Sequence, residues 1–155
     1  MKKNVVIILI FVLVMTITFT GCLDEFEEKN YIAVTVNCSV RVVVERGDPD
    51  IGVNIENLEG VEVKIDMVKA GGETKTFYRT TSGTTGYTAP VEGTFNLYKE
   101  QPITVYARVW TYPEGYENIT FPVKSRTWTW DQIYPEMADF GGSTTLYGDL
   151  YINGI

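Results

Sequence analysis

Residues 32 to 44 read IAVTVNCSVRVVV, and the pattern of this stretch decides the fold. Every even position from Ile32 to Val44 is apolar, whereas Thr, Asn, Ser and Arg occur at odd positions between them. Successive side chains of a β-strand point to opposite faces, so a period of two predicts a long strand with one buried face. Cys38 lies on the apolar face, and we therefore expect a buried thiol and not a reactive one.

The period of two continues along the rest of the chain, and no segment has a convincing amphipathic helical pattern. Segments rich in Val, Ile, Thr and Tyr alternate with turns that contain Gly, Pro and Asp, which is typical of an antiparallel sandwich. We predict about seven strands, over residues 32–45, 61–69, 74–80, 87–97, 103–112, 119–130 and 144–152. One helical turn is expected within residues 131–140. The predicted fold class is all-β, an antiparallel two-sheet sandwich.

The first residues of the chain have a different composition. Lys2 and Lys3 precede an uncharged, largely aliphatic run that ends in Thr20-Gly21-Cys22. A basic start, an apolar run and small residues before a cleavage point are features of an export signal. The end of this run resembles the lipoprotein signal of bacteria and archaea, and the resemblance implies that a lipid is attached to the thiol of Cys22. An uncleaved signal-anchor helix is the alternative, because an uncharged stretch of about 20 residues can cross a bilayer.

Both interpretations place the remaining chain outside the cytoplasm, because Lys2 and Lys3 stay on the inner side of the membrane. We predict a signal peptide over residues 1–21, a lipidated Cys22 with an acidic tether over 22–30, and a β-sandwich domain over 31–155. The expected location is the cell membrane, where a lipid or the signal anchor holds a domain that faces outward.

The charge and composition of the chain restrict its partners and its chemistry. Thirteen basic and 20 acidic residues give a net charge of −7, which becomes −9 if cleavage removes Lys2 and Lys3. Such a surface repels phosphate backbones, so we expect no nucleic acid as a partner. The absence of histidine removes His-based triads and a common zinc ligand. We expect no cofactor and no catalysis; the alternative is a small glycan-active enzyme that needs only two facing carboxylates.

Three short motifs of the chain resemble a known class of β-sandwich. The first is the strand GVEVKI at residues 60–65, and the second runs from Thr80 to Gly86-Tyr87. The third is the strand ITVYA at residues 103–107, which follows Leu97. Together they are similar to the prealbumin-like and carboxypeptidase-regulatory-like domains, which serve as spacers, adhesion elements or binding accessories. The resemblance implies the fold class, and we expect a sandwich of prealbumin-like or Ig-like type after the N-terminal helix.

Aromatic residues, with 10 Tyr, seven Phe and three Trp, exceed what one small core needs. On the strand predicted over 103–112 the aliphatic side chains occupy odd positions and the aromatic ones even positions, so the two sets lie on opposite faces. A hairpin register that pairs residue 112 with residue 118 extends the outward face onto the following strand. The candidate binding face then consists of Tyr106, Arg108, Trp110, Tyr112, Lys124, Arg126, Trp128 and Trp130. Such a face can stack sugar rings or bind an envelope protein, and burial beneath a second sheet is the alternative.

Two weaker patterns complete the candidate sites. Asp48 and Asp50 lie on a Gly/Pro loop that can present oxygens to calcium, although Asp before Pro is also an ordinary turn former. Asn37 and Asn118 each begin a glycosylation acceptor triplet. The expected function is that of an envelope-anchored lipoprotein acting as a binding, adhesion or structural module, or as an accessory subunit of a membrane complex.

Overall fold

The computed structural model describes residues 31–48, 52–133 and 142–155, and the fold in these ranges is almost entirely β. The predicted signal segment, Cys22, the tether and Asp50 lie outside the described residues. The strands are β1 Ile32–Asp48, β2 Gly52–Asn57, β3 Glu62–Lys69, β4 Thr74–Thr80, β5 Val91–Leu97, β6 Ile103–Thr111, β7 Lys124–Trp128 and β8 Ser143–Gly154. One short helix, α1, spans Trp130–Ile133. No helix in the described ranges is long and apolar enough to span a membrane.

Strand β1 is the centre of the first sheet. The even residues from Ile32 to Val44 are all buried, with none more than 4% exposed, which confirms the interpretation of the alternating stretch. Cys38 is among them, and its burial raises the pKa of the thiol to about 11, so the sulfur stays protonated and unreactive at neutral pH. The apolar face of β1 therefore forms one wall of the core.

Both edges of β1 are paired. On one edge β8 runs parallel to β1, from the pair Ala33–Ser143 to the pair Val44–Gly154. On the opposite edge β5 pairs antiparallel with residues 32–38 and β2 pairs antiparallel with residues 43–48. The gap between β5 and β2 is closed by Gly86, whose carbonyl accepts a hydrogen bond from the amide of Val42.

The second sheet has the strand order β4-β3-β6-β7, with every neighbouring pair antiparallel. Its inner face is set by Val63, Ile65 and Met67 of β3, which are fully buried and alternate with polar residues. The two four-stranded sheets enclose one apolar core, so the prediction of an all-β, two-sheet sandwich is confirmed. The expectation that all its strands are antiparallel is wrong, because β8 pairs parallel with β1.

Strand β2 was not expected from the sequence. Four of its six residues are exposed, because it lies beside the end of β1 that extends beyond the core. A strand with neither face buried has no alternating apolar pattern, so periodicity cannot reveal it. The strand expected over residues 119–130 is also shorter in the structure, since only Lys124–Trp128 pairs with β6.

The predicted register between β6 and β7 is wrong by one residue. Tyr106 pairs with Ser125, and Lys124 pairs with Ala107 on the inner side of the sheet. The connection is not a short hairpin loop that could set the register; its residues 116–121 pack over one end of the sandwich, with Thr120 bonded to the last residue of the chain. A slip of one residue moves every side chain of a strand to the opposite face.

The shifted register turns Trp128 toward the core. Trp128 is 7% exposed, and a Cβ atom built on Gly148 of β8 would lie 2.7 Å from its Cη2 atom. The indole therefore packs against the bare backbone of β8 and closes the gap between the two sheets at this edge. Trp130, at the start of α1, is 8% exposed and belongs to the same core.

Replacement of Trp128 by Ala is expected to lower the free energy of unfolding by about 3 to 5 kcal/mol, because it leaves a large cavity beneath β8. Trp110→Ala is the matched control, since Trp110 is half exposed and its removal forfeits only surface contacts with a ring and two cations, at an expected cost of about 1 to 2 kcal/mol. Urea unfolding followed by far-UV circular dichroism measures both values. Equal losses for the two variants would contradict the placement of Trp128 in the core.

Candidate functional site

The outer face of the second sheet carries exposed rings and cations on three neighbouring strands. Its central row runs across three strands, from Tyr78 of β4 through Lys64 of β3 to Arg108 of β6. The next row contains Asp66 and Tyr106. We call this surface the aromatic platform and define it by Lys64, Asp66, Tyr78, Tyr106, Arg108 and Trp110.

Strand alternation places Trp110 on the platform with Tyr106 and Arg108, and a β-bulge lies at the same point of β6. The register between β3 and β6 shifts after Val63, so that Val63 pairs with Val109 and Glu62 pairs with Thr111. Trp110 is the extra residue of the bulge, so it has no direct partner on β3. Its indole is 50% exposed and meets the Tyr78 ring edge to face, with ring centroids 5.7 Å apart and planes at 72°.

Two cations lie against the indole of Trp110. The Nζ atom of Lys64 is 5.9 Å and the Cζ atom of Arg108 is 5.3 Å from the ring centroid. Each such contact contributes about 0.5 to 1 kcal/mol at an exposed site. The ring is thus held upright by three side chains from three strands, which limits the freedom it would lose on binding a ligand.

The amine of Lys64 is itself held in place by a carboxylate. Its Nζ atom lies 3.1 Å from Oδ2 of Asp66, and the hydroxyl of Thr76 donates to Oδ1 of Asp66 at 2.6 Å. Partial burial raises the pKa of the Asp66 carboxyl. The hydrogen bonds from Thr76 and Lys64 and the charge of Lys64 lower this pKa by more than burial raises it, so the pKa lies below the ordinary value. Asp66 therefore stays ionised on the platform.

Thr76→Val is expected to raise the pKa of Asp66, because the carboxylate loses a hydrogen bond that favours its charged form. A carboxyl whose pKa is lowered by folding stabilises the protein above its unfolded pKa, and this stabilisation is lost as the pH falls through the folded pKa. The variant should therefore be less stable than the wild type at pH 7, with a smaller difference at pH 2.

Urea unfolding at the two pH values and an NMR titration of the Asp66 carboxyl measure these effects. Thr104→Val is the matched control, since Thr104 bonds the Thr127 hydroxyl on the same face and no carboxylate. A loss of stability for Thr76→Val that is the same at both pH values would contradict the expectation.

The structure separates the eight residues of the predicted binding face. Tyr106, Arg108 and Trp110 lie on the platform, while Tyr112 lies just beyond β6 and packs its ring against Phe121. The prediction is wrong for the other four. The register of β7 turns Lys124, Arg126 and Trp128 toward the inner side of the sheet. Trp130 lies beyond β7, at the start of α1, and is buried. Lys64 and Tyr78 were missed, since no sequence signal shows which strands become neighbours of β6.

The remaining predicted sites are the calcium candidate on β1 and the two glycosylation triplets. Asp48 ends β1, and within residues 31–48, 52–133 and 142–155 no group of three or more His, Cys, Asp or Glu is arranged to hold a metal ion. Asn37 is half-buried on the outer side of the first sheet, between Glu92 and Tyr147 of the flanking strands. Asn118 is exposed in the connection between β6 and β7.

One groove brings two carboxylates together. It has a volume of about 380 Å³ and is lined by Glu100, Pro102, Thr129, Trp130 and Asp131, at the end of the molecule where the β5–β6 turn meets α1. Glu100 has a φ of 69°, in the left-handed region. Two acidic residues line this groove, which is the arrangement that the enzymatic alternative requires, because a carboxylate mechanism needs two acidic side chains on either side of a bond.

Comparisons of the chain with protein-family models, with curated proteins and with solved structures find no match. The choice of a function therefore depends on the chemistry of the platform residues themselves.

Proposed function

We propose that the protein is a non-catalytic binding module of the cell envelope and that its aromatic platform binds a glycan. The observation that carries the proposal is the exposed indole of Trp110, which stands on a flat sheet between Tyr78 and two cations. Exposed rings of this size are costly to leave in water and are typical of binding surfaces.

The chemistry of the platform suits a sugar polymer. The faces of Trp and Tyr rings can cover the apolar face of a sugar ring, while Arg108, Lys64 and Asp66 offer donors and acceptors for its hydroxyl groups. The hydroxyls of Thr104 and Thr127 continue the polar surface beside Tyr106. Because all these side chains stand on paired strands, their spacing is rigid, which suits an extended ligand.

Trp110→Ala is expected to weaken glycan binding at least tenfold, since the largest apolar contact of the platform is lost. The measurement is affinity electrophoresis of the full-length protein in gels that contain polysaccharide extracted from its own envelope. Tyr147→Ala is the matched control, because Tyr147 is exposed on the outer face of the other sheet and should leave retention unchanged.

Retention of Trp110→Ala equal to that of the wild type would contradict a role for the platform. If the wild type itself is not retained by any polysaccharide fraction, the glycan proposal is wrong.

We also propose that Cys22 carries the lipid that attaches the domain to the membrane. The proposal is supported by the sequence Thr20-Gly21-Cys22 after an apolar run, and by the burial of Cys38, which leaves Cys22 no disulfide partner within the chain. The segment from Leu23 to Asn30 can span at most about 30 Å. The sandwich would therefore stay close to the membrane surface, facing outward.

Cys22→Ser is expected to release the protein from membranes or to block its processing, because the thiol that accepts the lipid is absent. Cell fractionation followed by mass spectrometry of the protein measures both outcomes. Cys38→Ala is the control and should remain in the membrane fraction. Full membrane retention of Cys22→Ser at the mature size would contradict lipidation.

For the finer fold type we propose a prealbumin-like and not an Ig-like sandwich. An Ig constant-type domain places its first, second, fourth and fifth strands in one sheet and the third, sixth and seventh in the other. In this protein β3, β4, β6 and β7 share one sheet while β1, β5 and β8 share the other. With β2 regarded as an addition beside β1, this division differs from the Ig arrangement and supports the resemblance of the three sequence motifs.

A further inference from the structure

We propose that the free edge of β8 is a strand-addition site, and that it takes an extended segment of a partner protein with acidic residues at alternate positions. This site is separate from the aromatic platform, because β8 belongs to the other sheet. Strand addition uses main-chain hydrogen bonds for affinity and alternate side chains for specificity.

The backbone groups of β8 are divided between its two edges. Val40 and Val42 of β1 direct their amides and carbonyls toward the β5–β2 edge, whereas the amide of Ala33 donates to the carbonyl of Gly142 at the β8 edge. Along a strand of a parallel pair, the amide and carbonyl of one residue both point to the neighbouring strand, and those of the next residue both point to the opposite edge. The even residues of β8 therefore bond to β1, and the odd residues from Ser143 to Asn153 point to the free edge.

At the C-terminal end of this edge the backbone already pairs with another segment of the same chain. The amide of Ile155, which follows β8 with the same odd parity, donates to the carbonyl of Thr120 at 3.0 Å, and the Thr120 amide donates to the carbonyl of Ile155 at 2.8 Å. This is the pair of bonds that an antiparallel strand would continue along β8. In the described part of the chain, no other strand pairs with β8 on this side.

The edge of β8 lacks the protection that two other edges have. The edge strand β4 has Lys75 and Arg79 at inward positions, and the edge strand β7 has Lys124 and Arg126 there. Inward-pointing charges keep another strand from pairing with an edge. Strand β8 contains no Lys, Arg or Pro over twelve residues, and the carboxylate of its single acid, Asp149, accepts a hydrogen bond from the hydroxyl of Ser39 on β1.

The charge of the neighbouring strand indicates which partner fits. Arg126 stacks on the ring of Trp128 at 4.9 Å, and its Cδ atom would lie 3.3 Å from a Cβ on Gly148, so the guanidinium reaches beneath β8. Neither Arg126 nor Lys124 forms a salt bridge with a described residue. A strand added to β8 would direct every second side chain toward these two cations, where Asp or Glu would find charged partners.

The outer side of the added strand would meet tyrosines. Tyr147 is 72% exposed, and Tyr151 is exposed beside it on the outer face. Cross-strand contacts between an aromatic and a β-branched residue stabilise a sheet. The segment that fits best therefore alternates Glu or Asp on its inner side with Val or Thr on its outer side.

The test uses the full-length protein and a fluorescein-labelled peptide, acetyl-Val-Glu-Thr-Glu-Val-Glu-Thr-Glu-Val-amide, with binding measured by fluorescence anisotropy. We expect saturable binding, at least tenfold weaker for the same peptide with Lys in place of Glu. Two further versions of the peptide are methylated at every second backbone nitrogen, one at the Glu residues and the other at the Val and Thr residues. The version whose methylated nitrogens face β8 should not bind, because those nitrogens can no longer donate hydrogen bonds to the edge. The proposal would be overturned if the Glu and Lys peptides bound equally well. It would also be overturned if both methylated versions bound as well as the unmethylated peptide.

Three substitutions separate the contribution of the β8 backbone from that of the charge on β7. Tyr147→Pro removes an edge amide that does not bond to β1, a position where proline is tolerated, and should weaken peptide binding at least tenfold. Tyr147→Ala keeps the amide and should lose only a fewfold. Arg126→Glu should invert the preference between the Glu and Lys peptides. Circular dichroism and retention by polysaccharide confirm that the variants are folded with an intact platform.

Wild-type binding by Tyr147→Pro, or an unchanged peptide preference in Arg126→Glu, would overturn the proposal. If Tyr147→Pro does not fold, the methylated peptides still decide the question on the wild type. Sedimentation velocity distinguishes the other occupant: a wild-type dimer that Tyr147→Pro dissociates would mean that β8 pairs with a second copy of the chain, which also overturns an acidic partner segment.

Discussion

The pairing of β1 along both of its edges is the constraint on which the rest of the structure depends. Val40 and Val42 direct their backbone groups toward the β5–β2 edge, and β8 occupies the other edge over twelve residues. Because β8 follows all the other strands and lies parallel to β1, this pairing joins distant parts of the chain and encloses the second sheet's strands between them in sequence. The buried face of β1 then supports both sheets.

The position of one residue along a strand decides whether an aromatic side chain serves stability or binding. Trp110 and Trp128 are both large rings on neighbouring strands of the same sheet. The alternation of β6 sends Trp110 outward, next to Tyr78, whereas the register of β7 sends Trp128 inward, onto Gly148. A ring buried against backbone contributes to the core, and a ring held upright in water is available to a ligand.

The two proposed surfaces use different properties of the sandwich. The platform uses side chains of Lys64, Arg108 and Trp110, which the paired strands hold at fixed spacing. The edge of β8 uses backbone groups that parallel pairing with β1 leaves free, and the basic residues of β7 select the charge of the partner. The two proposed surfaces share no residue, so a sugar polymer and a protein strand can be held at the same time.

The sequence by itself determined the all-β class, the buried alternation of β1 with Cys38 inside, and the bounds of β4, because these follow from local periodicity. It also identified Tyr106, Arg108 and Trp110 as one outward set. Only the tertiary structure decided the rest. Strand β2 has no buried face to reveal it, the β6–β7 register is set by a long loop packed over the sandwich, and the neighbours of Trp110 come from β3 and β4. Those features arise from contacts between residues distant along the chain, which local patterns do not encode.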